Sequence, residues 1–186
     1  MNSTSHQFQY QVEQWLDEIS PGLKIAVDNY NNDADFVGLR YRIPENKTIN
    51  TYSALNVGFG ITYVLPVIVT LLKANKEDLV IIENPKAHLH PKGQRKMGEL
   101  IAKAAAGGVQ IIIETHSDHV LNGIRLSVKN QVIKGTDAKL YFFDKAIEDG
   151  ITKHVELTPQ ILKDGRLTFW PEGFFDEWDK AIDEIF

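Results

Sequence analysis

Two stretches of the chain follow the same plan. Residues 79–91 read LVIIENPKAHLHP and residues 109–119 read VQIIIETHSDH. In each, a short apolar run ends on a carboxylate, Glu83 in the first and Glu114 in the second. Such a run, rich in Val and Ile and stopped by polar turn residues, predicts a buried strand whose acid lies at the rim of a sheet. Between the two, residues 92–106 carry Met97, Leu100, Ile101 and Ala104 at helical spacing, and Gly107-Gly108 ends that segment. Another helix is predicted at 118–129 and a further strand at 139–143, KLYFF. Strand, helix, strand, helix, strand is the order of a parallel sheet with helices on its faces, an α/β fold. Both carboxylates, with His88, His90 and His116 just beyond them, then gather at one end of the sheet.

The flanks read differently. Residues 8–19 place Phe8, Val12, Trp15, Leu16 and Ile19 on one helical face, ended by Pro21-Gly22. Residues 23–30 and 36–43 alternate apolar and polar positions around a turn-like NNDAD, which predicts a hairpin. A polar loop, PENKTINTYS, follows, then a glycine-spaced loop NVGFG at 56–60 and an almost continuously apolar helix at 61–75 with Pro66 near its start. In the tail, 151–157 alternates as a strand, DGRLTFW carries a turn signal, and 174–186 places Phe174, Trp178, Ile182 and Ile185 at helical spacing. The expected organisation is a helix and hairpin lobe at 1–55, a core at 56–145 and a small α+β tail at 146–186.

Composition narrows the chemistry. There is no Cys, which excludes disulfides, thiol catalysis and Cys-based zinc, and fits a cytoplasmic location. No signal peptide is visible at the N-terminus and no apolar run is long enough for a membrane span. A net charge of −5 shows no bulk basic face for nucleic acid, though a local patch stays open.

Taken in order, N-V-G-F-G, the strand ending E-N-P-x-x-H-L-H-P, and I-E-T-H-S-D-H resemble the C-terminal half of ABC-class ATPases. The likeness is to the RecF/SMC-like and OLD-like bacterial ATPases of the AAA class. The stretch Trp170 to Asp176, W-P-E-G-F-F-D, resembles the tail of one subgroup, which has no assigned role. The resemblance spans residues 10–186, and it implies ATP and Mg²⁺ as cofactors. It places Gly58, Phe59 and Gly60 in the signature loop, whose backbone N–H groups approach a nucleotide held by another subunit, with Thr62 just after. Glu83 takes the position that holds Mg²⁺ through water, and Asn84 the position of the usual water-activating glutamate. His88, Leu89 and His90 fall in the partner-contacting D-loop, and His116 at the histidine that donates to the γ-phosphate. Such sites form between subunits, so a homo- or hetero-oligomer is implied. Nucleic acid enters by analogy with relatives in DNA repair, chromosome organisation and phage defence.

The sequence also departs from that pattern. No G-x-x-x-x-G-K-[ST] occurs, nor any Gly-Lys pair, so the fold implied is an incomplete P-loop NTPase. A chain like this needs its P-loop from an N-terminal half or another ATPase subunit. The family's P-loop strand would lie between the His116 strand and 139–143, and its loss calls for re-pairing, a borrowed strand or open edges. Asn84 cannot act as a general base near neutral pH, and Lys86 stands where relatives carry Glu, within expected reach of Glu83 or Glu114. Two other readings remain open: a non-catalytic module docking on a P-loop-bearing partner, and a metal-dependent nuclease or phosphatase built on Glu83, His88, His90 and His116. The aromatic tail, lacking interleaved Lys or Arg, is expected to pack against the sheet rather than stack on bases.

Overall fold

The two apolar runs form neighbouring strands. In the computed structural model, which describes residues 3–29, 37–45, 48–53, 56, 59–148 and 151–185, β4 (Leu79–Glu83) and β5 (Gln110–Glu114) pair in parallel. Val80 and Ile82 turn one face of the pair into the main core. That core is closed by α1 (Ser3–Ile19), α2 (Phe59–Lys73) and α3 (Pro91–Ala106), whose apolar stripes bury Leu16, Ile68, Met97 and Leu100. The strand–helix–strand unit β4–α3–β5 is the crossover that parallel pairing requires.

α4 (Asp118–Lys129) packs along α3, and the two helices touch at glycines. A Cβ on Gly98 would lie 2.1 Å from the Val120 carbonyl oxygen, and one on Gly123 would lie 2.1 Å from that of Arg95. Only hydrogen fits at either position. Lys96 also ties α3 to α1 through Glu18, at 2.9 Å. The hydrogen bond from Lys96 is the main cause that holds the Glu18 carboxyl below its ordinary range, and the same bond raises the Lys96 ammonium against the opposing effect of burial.

Before this unit, β1 (Lys24–Asn29) and β2 (Val37–Glu45) form the expected antiparallel hairpin. The following segment is not a loop. Thr48–Ser53 is β3, paired antiparallel with β2. Its Thr, Ile and Tyr residues favour a pleated surface although their polarity suggested otherwise. Tyr41, on the central strand, is fully buried, and burial pushes its hydroxyl up.

The strand expected at 139–143 does not join the parallel sheet. β6 (Phe142–Glu148) pairs antiparallel with β7 (Ile151–Leu157), while Lys139 makes an isolated bridge to Gln160. Asp149-Gly150 in the sequence is a hairpin signal, and a partner next in the chain costs little loop entropy. Among the described residues helices cover one face of the β4–β5 pair, and Leu79, Ile81 and Ile112 are exposed on the other.

The last helix is α5 (Glu177–Ile185), shorter than expected. Phe174 precedes it, buried in an aromatic group with Phe142, Phe175 and Trp170. Arg125 of α4 stacks over Trp170 at 5.4 Å and donates from Nε to the Gly165 carbonyl at 2.7 Å. The tail aromatics thus pack, as expected, but against α4 and β6 rather than the parallel sheet. Among the described residues no helix is long and apolar enough to cross a membrane.

Candidate functional site

The parallel register sets Glu83 opposite Glu114 at the C-terminal ends of β4 and β5. The ladder continues one step further, with Asn84 N–H donating to the Glu114 carbonyl at 3.0 Å. The chain then turns sharply. Asn84 and His88 both adopt left-handed backbone, at φ 50° and 60°. Asn tolerates this, but His pays a steric penalty of roughly 1 kcal/mol. Hydrogen bonds from Ala87 N–H to the Asn84 carbonyl and from Leu89 N–H to the Lys86 carbonyl close the turn.

His116 follows β5, with Nε2 3.1 Å from Glu114 Oε1. Its side chain is 86% exposed and so faces outward from the sheet end. Lys86 pairs with neither carboxylate. Its Nζ donates to the His116 main-chain carbonyl at 3.0 Å, binding the turn after β4 to the segment after β5. That acceptor is a backbone atom, and side-chain identities alone gave no pointer to it.

A second tie lies beneath. Ser117, buried, caps α4 by accepting from Val120 N–H at 3.1 Å, and its hydroxyl donates to Gln94 Oε1 at 2.6 Å. Gln94 Nε2 donates in turn to the Leu89 carbonyl at 2.7 Å. Gln94 and Ser117 thus lock the two segments that carry the histidines. Ser117-Asp118 ahead of a periodic helix is an N-cap signal that could have found one of them. Gln94 carries no such signal.

Gly58 lies outside the described residues. Phe59 opens α2, and Gly60 follows it against the 84–90 turn, where a Cβ would lie 2.6 Å from the His88 carbonyl oxygen. Thr62 and Tyr63 are exposed on the first turns of α2, and the Tyr63 ring meets the His88 ring at 5.4 Å between centroids. The start of α2 and the turn after Glu83 are therefore one packed unit. Behind it opens a cavity of about 470 Å³ lined by Leu16, Ile19, Gly60, Val64, His88 and His90. None of Glu83, Glu114 or His116 lines it.

The histidines do not form a metal centre. His90 caps α3, accepting from Lys92 N–H at 3.4 Å, and His119 lies beside Asp118. Among the described residues no group of three or more His, Asp or Glu could hold an ion by itself. The His-rich metal site open in the sequence is therefore not assembled. Glu83 and Glu114 are hard oxygen donors at one sheet end, which suits Mg²⁺, an ion that keeps most of its waters and takes one or two carboxylates.

Residues 3–122 match a family described as "AAA domain, putative AbiEii toxin, Type IV TA system". Residues 133–185 match a second, described as a protein of unknown function (DUF3696). No curated protein matches the chain. Among solved structures the chain is similar to one from work on ATP-driven dimerisation and DNA-stimulated activation of SMC ATPases. The TM-score is 0.53 at 15% identity, over 98% of this chain and 92% of that one. It is also similar to the Smc head domain of Pyrococcus furiosus bound to the C-terminal domain of ScpA. There the TM-score is 0.50 at 16% identity, covering 98% of this chain but 38% of that one. A further SmcHead, bound to the C-winged helix domain of ScpA, gives 0.52 at 15% identity over 83% of this chain and 44% of that one. These likenesses concern the fold, an incomplete P-loop NTPase-type α/β arrangement. With the family match extending over residues 3–122, the chain belongs to this AAA domain family.

Proposed function

We propose that this chain supplies the C-terminal side of a composite ATP site, and that a P-loop-bearing half or subunit supplies the other side. The observation that carries the reading is the sheet end itself: Glu83 beside Glu114 in parallel register, with His116 3.1 Å from Glu114. Mg²⁺, when bound with the nucleotide, would be held through water by Glu83 and would neutralise phosphate charge. Glu114 fixes the His116 ring, leaving its other nitrogen for an exposed phosphate oxygen. Asn84 orients water by its amide but cannot take a proton from it. Phe59, Gly60 and Thr62, at the start of α2 and just after Gly58 in the sequence, offer backbone N–H groups and a hydroxyl to a nucleotide held by the other subunit.

The need for a P-loop-bearing partner follows from the lack of any G-x-x-x-x-G-K-[ST] in these residues. A non-catalytic role on a P-loop-bearing ATPase is the second reading, favoured by Asn84 and by Lys86, which is held on the His116 carbonyl. Titration calorimetry with Mg·ATP separates them. A complex with a P-loop-bearing partner should bind nucleotide more weakly by at least tenfold when His116→Ala is introduced. No change would leave only the docking role.

A further inference from the structure

The tail hairpin turns one face to solvent. Lys139 bridges to Gln160 in the same antiparallel register that pairs Phe142 with Leu157 and Phe143 with Glu156, so side chains alternate without a break from 139 to 147. The inner set packs. Leu140 lies against the cluster of Ile124, Val128 and Ile161, and the Phe142 ring meets the Phe174 ring at 5.2 Å between centroids. The outer set is therefore Lys139, Tyr141, Phe143, Lys145 and Ile147, and all five are exposed. Tyr141 is 55% exposed, Phe143 71% and Ile147 77%. Large apolar groups side by side on a sheet mark a contact surface. Across the ladder His154 stands opposite Lys145, and Glu156 stands opposite Phe143.

We infer that this face binds single-stranded nucleic acid, with Tyr141 and Phe143 stacking on two neighbouring bases and Lys139 and Lys145 on the flanking phosphates. Three observations choose that occupant. Cation, ring, ring, cation, evenly spaced along one extended segment, is the arrangement of a single-strand platform, in which rings take bases and ammoniums take the backbone. The spacing disfavours a stacked duplex. Alternate residues of a strand lie about 7 Å apart, roughly twice the 3.4 Å step between stacked bases, so the two rings suit bases drawn apart. Charge points the same way. The chain as a whole carries −5, yet this face sets two ammoniums and His154 against the single carboxylate of Glu156. Residues 169–178 show the contrary arrangement: aromatics with no Lys or Arg among them, and Phe174 buried. The face lies within residues 133–185, which match the family of unknown function, and shares no residue with the Glu83–Glu114 sheet end, so it stands or falls apart from the composite ATP site.

Fluorescence anisotropy of the full chain tests this, with labelled oligothymidylate and oligouridylate of about 12 nucleotides and a DNA duplex of the same length as probes. The chain should bind the single strands and bind the duplex at least tenfold more weakly. Binding of the DNA strand, the RNA strand or both supports the inference, and their ratio gives the preferred sugar. Phe143→Ala and Tyr141→Ala should each weaken binding about tenfold, the worth of one stacked base, with the melting curve unchanged. Phe143→Trp should keep the affinity, because it keeps a stacking ring. Replacing Lys139 and Lys145 together by Gln should reduce the slope of log K against log salt by about 1.4, the share of two phosphates of a single strand. Tyr10→Ala, an exposed ring on α1, should change nothing. No binding of either single strand, equal binding of the duplex, or an affinity indifferent to Tyr141→Ala and Phe143→Ala would overturn the inference. So would sedimentation showing a dimer that Phe143→Ala dissociates while single strands stay unbound, since a second copy would then be what covers the face.

Discussion

Both faces of the β4–β5 pair carry large aliphatic side chains, and these meet opposite fates. Val80 and Ile82 sit in the core beneath α1, α2 and α3, while Leu79, Ile81 and Ile112 face solvent. Burial of an apolar side chain is worth roughly 1.5–3 kcal/mol, so one face contributes to the stability of this chain and the other to whatever covers it. The difference separates residues that hold this chain's fold from residues left exposed on its sheet.

Substitutions on the two faces should differ most. Ile82→Ala should cost ~2–5 kcal/mol in chemical denaturation, as large-to-small changes in packed cores do. Ile81→Ala, one residue away, should stay within about 0.5 kcal/mol. Equal costs would mean that the outer face is already covered in the folded chain. Gly98→Ala tests the helix layer behind the inner face. A methyl there must displace the Val120 carbonyl, so a loss of ~1–3 kcal/mol in melting experiments is expected. Ser117→Ala removes the α4 cap and the donor to Gln94. It should cost about 1 kcal/mol and speed amide exchange at 115–118.

The smallest effect is electrostatic. Glu18 is held below its ordinary range by Lys96, so the tie stabilises above that range and is lost as pH falls through the lowered value. Glu18 is half exposed, so Glu18→Gln should cost well under about 1 kcal/mol at neutral pH and nothing in acid, measured by urea unfolding across pH.

Much of this was legible because short apolar runs and helical stripes encode local structure directly. Leu79–Glu83, Asp118–Lys129 and Ile151–Leu157 fall where their patterns put them. The misses involve partners rather than patterns. Thr48–Ser53 is polar yet pairs with β2, because strand formation there depends on a neighbour. Phe142–Glu148 reads as a strand either way, and its pairing with β7 depends on a neighbour close in the chain. At the site, the register of Glu83 with Glu114 follows from the matching runs. The Lys86 bond does not, since its acceptor is a main-chain carbonyl thirty positions on. The crossing at Gly98 and Gly123 is equally silent in one sequence, where a glycine in a helix reads as a weakness rather than a contact.

The most direct measurement is ATP turnover by the purified chain with Mg²⁺, with and without a P-loop-bearing partner that docks on it. The chain alone should hydrolyse no more ATP than its Glu83→Ala variant, and the complex should bind nucleotide through Glu83 and His116. Turnover by the chain alone that disappears in Glu83→Ala would contradict the composite site, because the whole of the machinery would then lie within these 186 residues.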